Sequence, residues 1–124
     1  MADADEKLIE KIRGSDLFIV LGTRNYVTSL KEGKDNIAIQ IDIARKFKKP
    51  FFMVIDRNLS KEDRQYLDEY LSKDNIISRM EVDMGNISST TYIAKEIKTL
   101  VRELRTTADD KGVTIATPYD DDDE

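Results

Sequence analysis

The chain contains no cysteine and no histidine. Disulfides, thiol nucleophiles, imidazole bases and the usual Cys/His zinc sites are thereby excluded. A hard cation held by carboxylates alone stays chemically open, but no metal ligand, cofactor or catalytic residue is assigned from the sequence. The glycines number five and are scattered. None builds a GxGxxG, GxxxxGK[ST] or GxSxG motif, so the common phosphate cradles and the nucleophile elbow are missing. A Ser or Thr nucleophile would need an unusual partner such as Lys or Asp. No apolar run approaches the ~20 residues that span a bilayer. The acidic start, Met1 to Glu6, lacks the basic and apolar parts of a signal peptide. A cytoplasmic protein with no membrane partner is expected.

Charge, by contrast, is plentiful at 36% of residues, against a typical ~25%. The net charge of −5 is unevenly spread. Residues 109–124 hold seven acids against one base, Lys111, so the rest of the chain is nearly neutral. Nucleic-acid surfaces need clustered Lys and Arg. The only local cluster is Arg45-Lys46-Phe47-Lys48-Lys49, which is better read as cations favouring the carboxyl end of a helix. No nucleic-acid partner is expected. The length of 124 residues fits one domain with a modest core. That domain is placed at residues 1–107, with 108–124 as an acidic tail expected to be disordered.

Residues 4–13 predict a short amphipathic helix, with Leu8, Ile9 and Ile12 on one face and Gly14 as a left-handed terminator. Residues 17–21 are apolar throughout and read as a central parallel strand buried on both faces. Residues 23–36 read as a long polar connection, beyond the usual 2–6 residues of a βα loop. Residues 36–49 carry conflicting signals. Ile37, Ile39, Ile41 and Ile43 alternate like a strand, whereas Ile37, Ile41 and Ala44 keep helical spacing. The Lys49-Pro50 stop and the need for a crossover favour a helix. That helix would be apolar on two sides, and the Ile39/Ile43 side is expected to meet a second copy of the chain. Residues 51–55 predict a second buried strand. Ser60 caps a helix with Tyr66, Leu67, Tyr70 and Leu71 inside, residues 75–82 an edge strand, and residues 90–105 a long amphipathic helix.

Parallel α/β sheets bind ligands beyond the carboxyl ends of their strands. Those ends supply Gly22 to Asn25, Asp56 to Asn58 and Asp83-Met84-Gly85-Asn86, and the candidates are Thr23, Arg24 and Asn25, then Asp56, Arg57 and Asn58. Either arginine can pair with phosphate or carboxylate, and Asp56 and Asn58 can bond ribose hydroxyls. The competing reading is that Asp and Asn simply favour turns.

The order of pieces over residues 6–57 resembles Toll/interleukin-receptor (TIR)-like domains and the related nucleoside deoxyribosyltransferase-like proteins. The pieces are Ser15-Asp16 with its apolar strand, Asn25-Tyr26 through Ser29, Gln40-Ile41-Asp42-Ile43-Ala44, Lys49-Pro50 and the following apolar strand. The resemblance implies a small flavodoxin-like α/β three-layer sandwich, its short, mainly parallel sheet of three to four strands lacking the family's first strand. It places Gln40 where catalytic members carry a glutamate. An amide can neither stabilise an oxocarbenium-like centre as an anion nor act as nucleophile. The expected function is therefore a non-catalytic interaction or nucleotide-ligand-binding module that forms a homodimer. The alternative is an NAD- or nucleoside-processing enzyme using another carboxylate, Asp42 or Asp56.

Overall fold

The computed structural model describes residues 5–110. Asp5 opens α1 (Glu6–Arg13), its carboxylate accepting the Lys7 N–H at 3.0 Å. Gly14 ends the helix with φ −84°, so the left-handed terminator expected there is not used. β1 (Phe18–Gly22) follows. Gly22 lies so close to the fourth helix that an added Cβ would sit 3.2 Å from Leu67 Cδ1.

The expected long loop after β1 is instead mostly a helix, α2 (Arg24–Glu32). Thr23 alone links strand to helix, and its Oγ1 accepts the Tyr26 N–H at 3.2 Å. Val27 and Leu30, three residues apart, are the buried side chains. Gly33 terminates α2 at φ +70°, and Asp35 and Asn36 continue the left-handed path at 60° and 57°. Those three residues reverse the chain into α3 (Ile37–Lys46), which settles the helix-or-strand conflict for the helix. β2 (Phe51–Asp56) and α4 (Lys61–Tyr70) come next, with Ser60 Oγ accepting the Asp63 N–H as expected of a cap. β3 (Ile76–Val82) and α5 (Ser88–Asp110) complete the described chain. The expected tail lies outside the described residues from 111 onward, and α5 itself runs past the expected boundary at 107.

The sheet has three parallel strands in the order β1-β2-β3. Its centre is β2, whose residues Phe51 to Ile55 are all buried. β1 was expected to be central and is an edge strand. Continuous apolarity reports burial on two faces, and an edge strand between two helical layers meets that condition too. β3 is at the other edge, as expected.

On one face, Val20, Phe51, Met53 and Ile55 pack against α1 to α4 through Ile12, Leu30, Ile41, Ala44 and Leu67. On the other, Phe52, Val54 and Val82 meet α5 through Leu100, with Ile93 and Ile97 alongside. The chain is thus a small three-layer α/β protein. Among the described residues no helix is long and apolar enough to cross a membrane.

The second apolar side of α3 is largely covered within the chain. Ile43 is 8% exposed and belongs to the core; Ile39 is half-buried and packs against it. Helix α1 packs against α3. Ile43, expected with Ile39 at a dimer interface, is thus a core residue of the single chain.

Tyr26 sits part-buried in α2, and burial, helped by the nearby Tyr70 hydroxyl, pushes its pKa from 10.0 up to about 12. In the unfolded chain tyrosine ionises near pH 10, whereas the native Tyr26 keeps its proton to about pH 12. The unfolded state therefore binds fewer protons in that window, and stability falls as pH rises through it. Tyr26→Phe is expected to remove on the order of 2 kcal/mol of that alkaline loss, read from denaturant midpoints at pH 9 and pH 11.5. Equal pH slopes in both proteins would refute the assignment.

Candidate functional site

The carboxyl ends of the strands gather two of the three expected loops. Arg57 follows β2 and is anchored through its backbone, its N–H donating to Val82 O at 2.7 Å. Its side chain is exposed and makes no hydrogen bond or ion pair among the described residues. It lines a cavity of about 320 Å³ with Met80, Glu81 and Asp83 from the end of β3, and Asn86, Ser88, Ser89 and Tyr92 from the start of α5. Glu81 is not Arg57's counter-ion; it pairs with Arg64 at 2.9 Å. Arg64 also donates to the carbonyls of Arg57 at 2.9 Å and Leu59 at 3.1 Å, which fixes the loop that carries Arg57.

The start of α5 is shaped by its own turn. Asn86 Oδ1 accepts the Ser88 N–H at 2.9 Å, and Ser89 Oγ donates to Asp83 O at 2.8 Å. Asp83 Oδ1 accepts the Gly85 N–H at 3.0 Å. The helix therefore brings a positive dipole end and hydroxyls to the cavity, while several of its first amides are already satisfied. Tyr92 is 62% exposed, so its ring forms a wall that is open to stacking.

Other expected residues have local structural work or lie elsewhere. Asp56 is half-buried, and its Oδ1 accepts the Asn58 N–H at 3.2 Å, the turn geometry expected of Asp. Thr23 caps α2. Arg24 and Asn25 are exposed in its first turn, make no side-chain bond among the described residues, and do not line the Arg57 cavity. Gln40 is half-buried on α3 and does not line it either. Asp42 is a surface carboxylate, 68% exposed and 3.3 Å from Arg45. Tyr92, Ser88, Ser89 and Glu81 were not expected. The one signal for Tyr92 was an aromatic residue off the apolar stripe of an amphipathic helix.

A larger cavity, about 680 Å³, opens at the amino ends of the strands, among Arg45, Lys49, Tyr70 and Asp74. Three of its charged side chains are committed to the fold. Arg45 Nε donates to both Asp74 oxygens at 3.0 and 3.1 Å, and Nη2 donates to Tyr70 O at 2.7 Å. The Lys49 ammonium donates to Arg13 O at 2.6 Å and Ser15 O at 2.7 Å, tying the α1–β1 connection to the entry of β2. Burial lowers its pKa, opposed by the Asp16 carboxylate. The basic run at residues 45–49 thus has two of its cations spent on packing, which favours the structural reading over a nucleic-acid patch.

No family model matches the chain, and no curated protein or solved structure matches it significantly. The class that fold and site define is a three-layer α/β protein with an arginine-bearing cavity at the carboxyl ends of its parallel strands.

Proposed function

We propose that this chain is a non-catalytic, TIR-like binding module. Its ligand is a phosphate-bearing, nucleotide-type small molecule held at the carboxyl ends of β2 and β3. The observation that supports this reading is Arg57: a guanidinium on a pinned loop, at a cavity mouth, with no partner of its own among the described residues. An arginine of that kind suits bidentate phosphate contact. Tyr92 offers a face for a base, and the Ser88 and Ser89 hydroxyls offer polar contacts beside the helix dipole. Two features favour binding over hydrolysis. Gln40 supplies no charge, and one Asp56 oxygen already accepts a hydrogen bond from its own turn.

Thermal unfolding in the presence of AMP, ADP, NAD and inorganic phosphate tests the proposal. A ligand at 100 times its Kd raises stability by about 2.7 kcal/mol. Arg57→Ala is expected to weaken the best ligand at least tenfold, since a charge-assisted contact contributes about 1.5–3 kcal/mol. Absence of any shift, or an equal shift in wild type and Arg57→Ala, would refute the site. Steady turnover of NAD or a nucleoside that disappears in Asp56→Asn would replace binding with the enzymatic alternative.

A further inference from the structure

The charges lining the Arg57 cavity restrict which nucleotide it takes, an inference that rests on reading the cavity as a nucleotide site. Arg57 is the one lining cation among the described residues, and two carboxylates, Glu81 and Asp83, stand with it. They are not equivalent. Glu81 is held by Arg64 at 2.9 Å. Asp83 has no cationic partner among the described residues. Its Oδ1 accepts the Gly85 N–H at 3.0 Å, and its Oδ2 makes no hydrogen bond among them. The backbone of the residue is pinned as well. Its carbonyl accepts the Asn86 N–H at 2.9 Å and the Ser89 hydroxyl at 2.8 Å. A half-buried carboxylate on a fixed turn, with one oxygen open, is a ready acceptor for a hydroxyl of the ligand.

The start of α5 is a poor place for the phosphate, although bare helix termini bind anions well. The Ser88 N–H donates to Asn86 Oδ1 at 2.9 Å, the Ser89 N–H to Asn86 O at 3.0 Å and the Thr90 N–H to Ile87 O at 3.2 Å. With those amides spent, the phosphate falls to Arg57 after β2. The sugar and base then lie along the wall made by the end of β3 and the start of α5. There Asp83 offers Oδ2, and Tyr92, 62% exposed, offers a ring face.

The same carboxylate limits the phosphate count. A second or third phosphate would find no further cation among the lining residues and would be repelled by Asp83. The volume, about 320 Å³, lies at the small end of the ~300–1,000 Å³ of ligand pockets and suits a mononucleotide. Ribose brings a vicinal diol, two donors for a carboxylate, where deoxyribose brings one hydroxyl. We propose that the cavity selects a ribonucleoside 5′-monophosphate, with Arg57 on the phosphate and Asp83 on the ribose diol.

Calorimetric titration decides the matter. The probes are AMP, GMP, CMP and UMP, their 2′-deoxy counterparts, and the corresponding di- and triphosphates with and without Mg²⁺. Wild type is expected to bind its best ribonucleoside monophosphate at least tenfold tighter than the deoxy form, because a hydrogen bond to a charged group is lost. It should also prefer the monophosphate to the di- and triphosphate. Asp83→Ala is expected to equalise ribose and deoxyribose. Asp83→Asn, which keeps an oxygen for the Gly85 N–H, is expected to weaken the discrimination against added phosphates. A merely structural Asp83 would lower every affinity alike and leave both ratios unchanged, which would overturn the proposal. Arg57-dependent binding with no preference for ribose, or with a tighter di- or triphosphate, would overturn it and leave the nucleotide reading standing. No binding, or binding that Arg57→Ala leaves unchanged, would overturn both.

Discussion

Ile43→Glu is expected to unfold the protein rather than to separate two copies of it. Ile43 is 8% exposed and packed in the core. Fully burying an aliphatic side chain contributes about 1.5–3 kcal/mol. An unpaired carboxylate in its place adds a desolvation cost of several kcal/mol, or forces the helix outward. The sum, above about 4 kcal/mol, matches the rare large effects of single substitutions and is comparable to the whole stability of a small domain. Ile39→Glu should cost less, because the half-buried Ile39 can turn its new charge toward water. Urea unfolding of both variants, with sedimentation of the native fractions, gives the comparison. A stable, folded Ile43→Glu protein of reduced oligomeric state would restore the interface first read from the two-sided apolar pattern.

That pattern shows how far local signals carry. Alternating isoleucines and helical spacing coexist over residues 37–44, and only connectivity decides between them. A strand there would abut β2 with no crossover, and the chain folds as the helix. The same argument does not say what covers the second apolar face. That depends on tertiary packing, in which α1 lies against α3. The four-residue spacing within residues 90–105 and the Ser60 cap were legible, because each is a local rule with one dominant outcome. Helix α2 was not. Its polar surface hid two buried residues, Val27 and Leu30, and its best signals were Thr23 before it and Gly33 after it. β1 was read as central because apolarity marks covered faces, whereas strand order is set by pairing that no single segment encodes.

The candidate site was half legible for a related reason. Strand-end positions follow from the βαβ order, so Arg57 could be named in advance, but Asp56 was equally consistent with a turn and proves to make one. The other wall of the cavity comes from the start of α5. Tyr92 and the two serines join Arg57 only because β3 lies beside β2, a tertiary fact. Gln40, named through resemblance, sits on α3 and does not line that cavity.

Asp74→Ala is the second substitution expected to act strongly, and it acts on a contact that sequence reading assigned to a helix dipole. Arg45 leaves the last turn of α3 and reaches the connection between α4 and β3. There Asp74, its side chain 8% exposed, receives Nε and lies 3.0 Å from Nη2. The guanidinium also lies over the Tyr70 ring, 4.9 Å from its centre, and donates to Tyr70 O. One side chain thereby joins two helices and the entry to β3, and Asp74 keeps Arg45 charged. Breaking a fully buried pair by deleting one partner costs about 3–5 kcal/mol. Arg45 is one-third exposed, so its released charge can find water, and about 2–3 kcal/mol is expected for Asp74→Ala. Arg45→Lys should cost about 1–2 kcal/mol despite keeping the charge, because an ammonium cannot reproduce the planar fork or the stacking. The two changes share one contact and should not add; a double-mutant cycle is expected to show coupling of about 1–2 kcal/mol. Additive costs, or a loss below about 0.5 kcal/mol for Asp74→Ala, would mean that the α3–β3 junction is held by apolar packing alone.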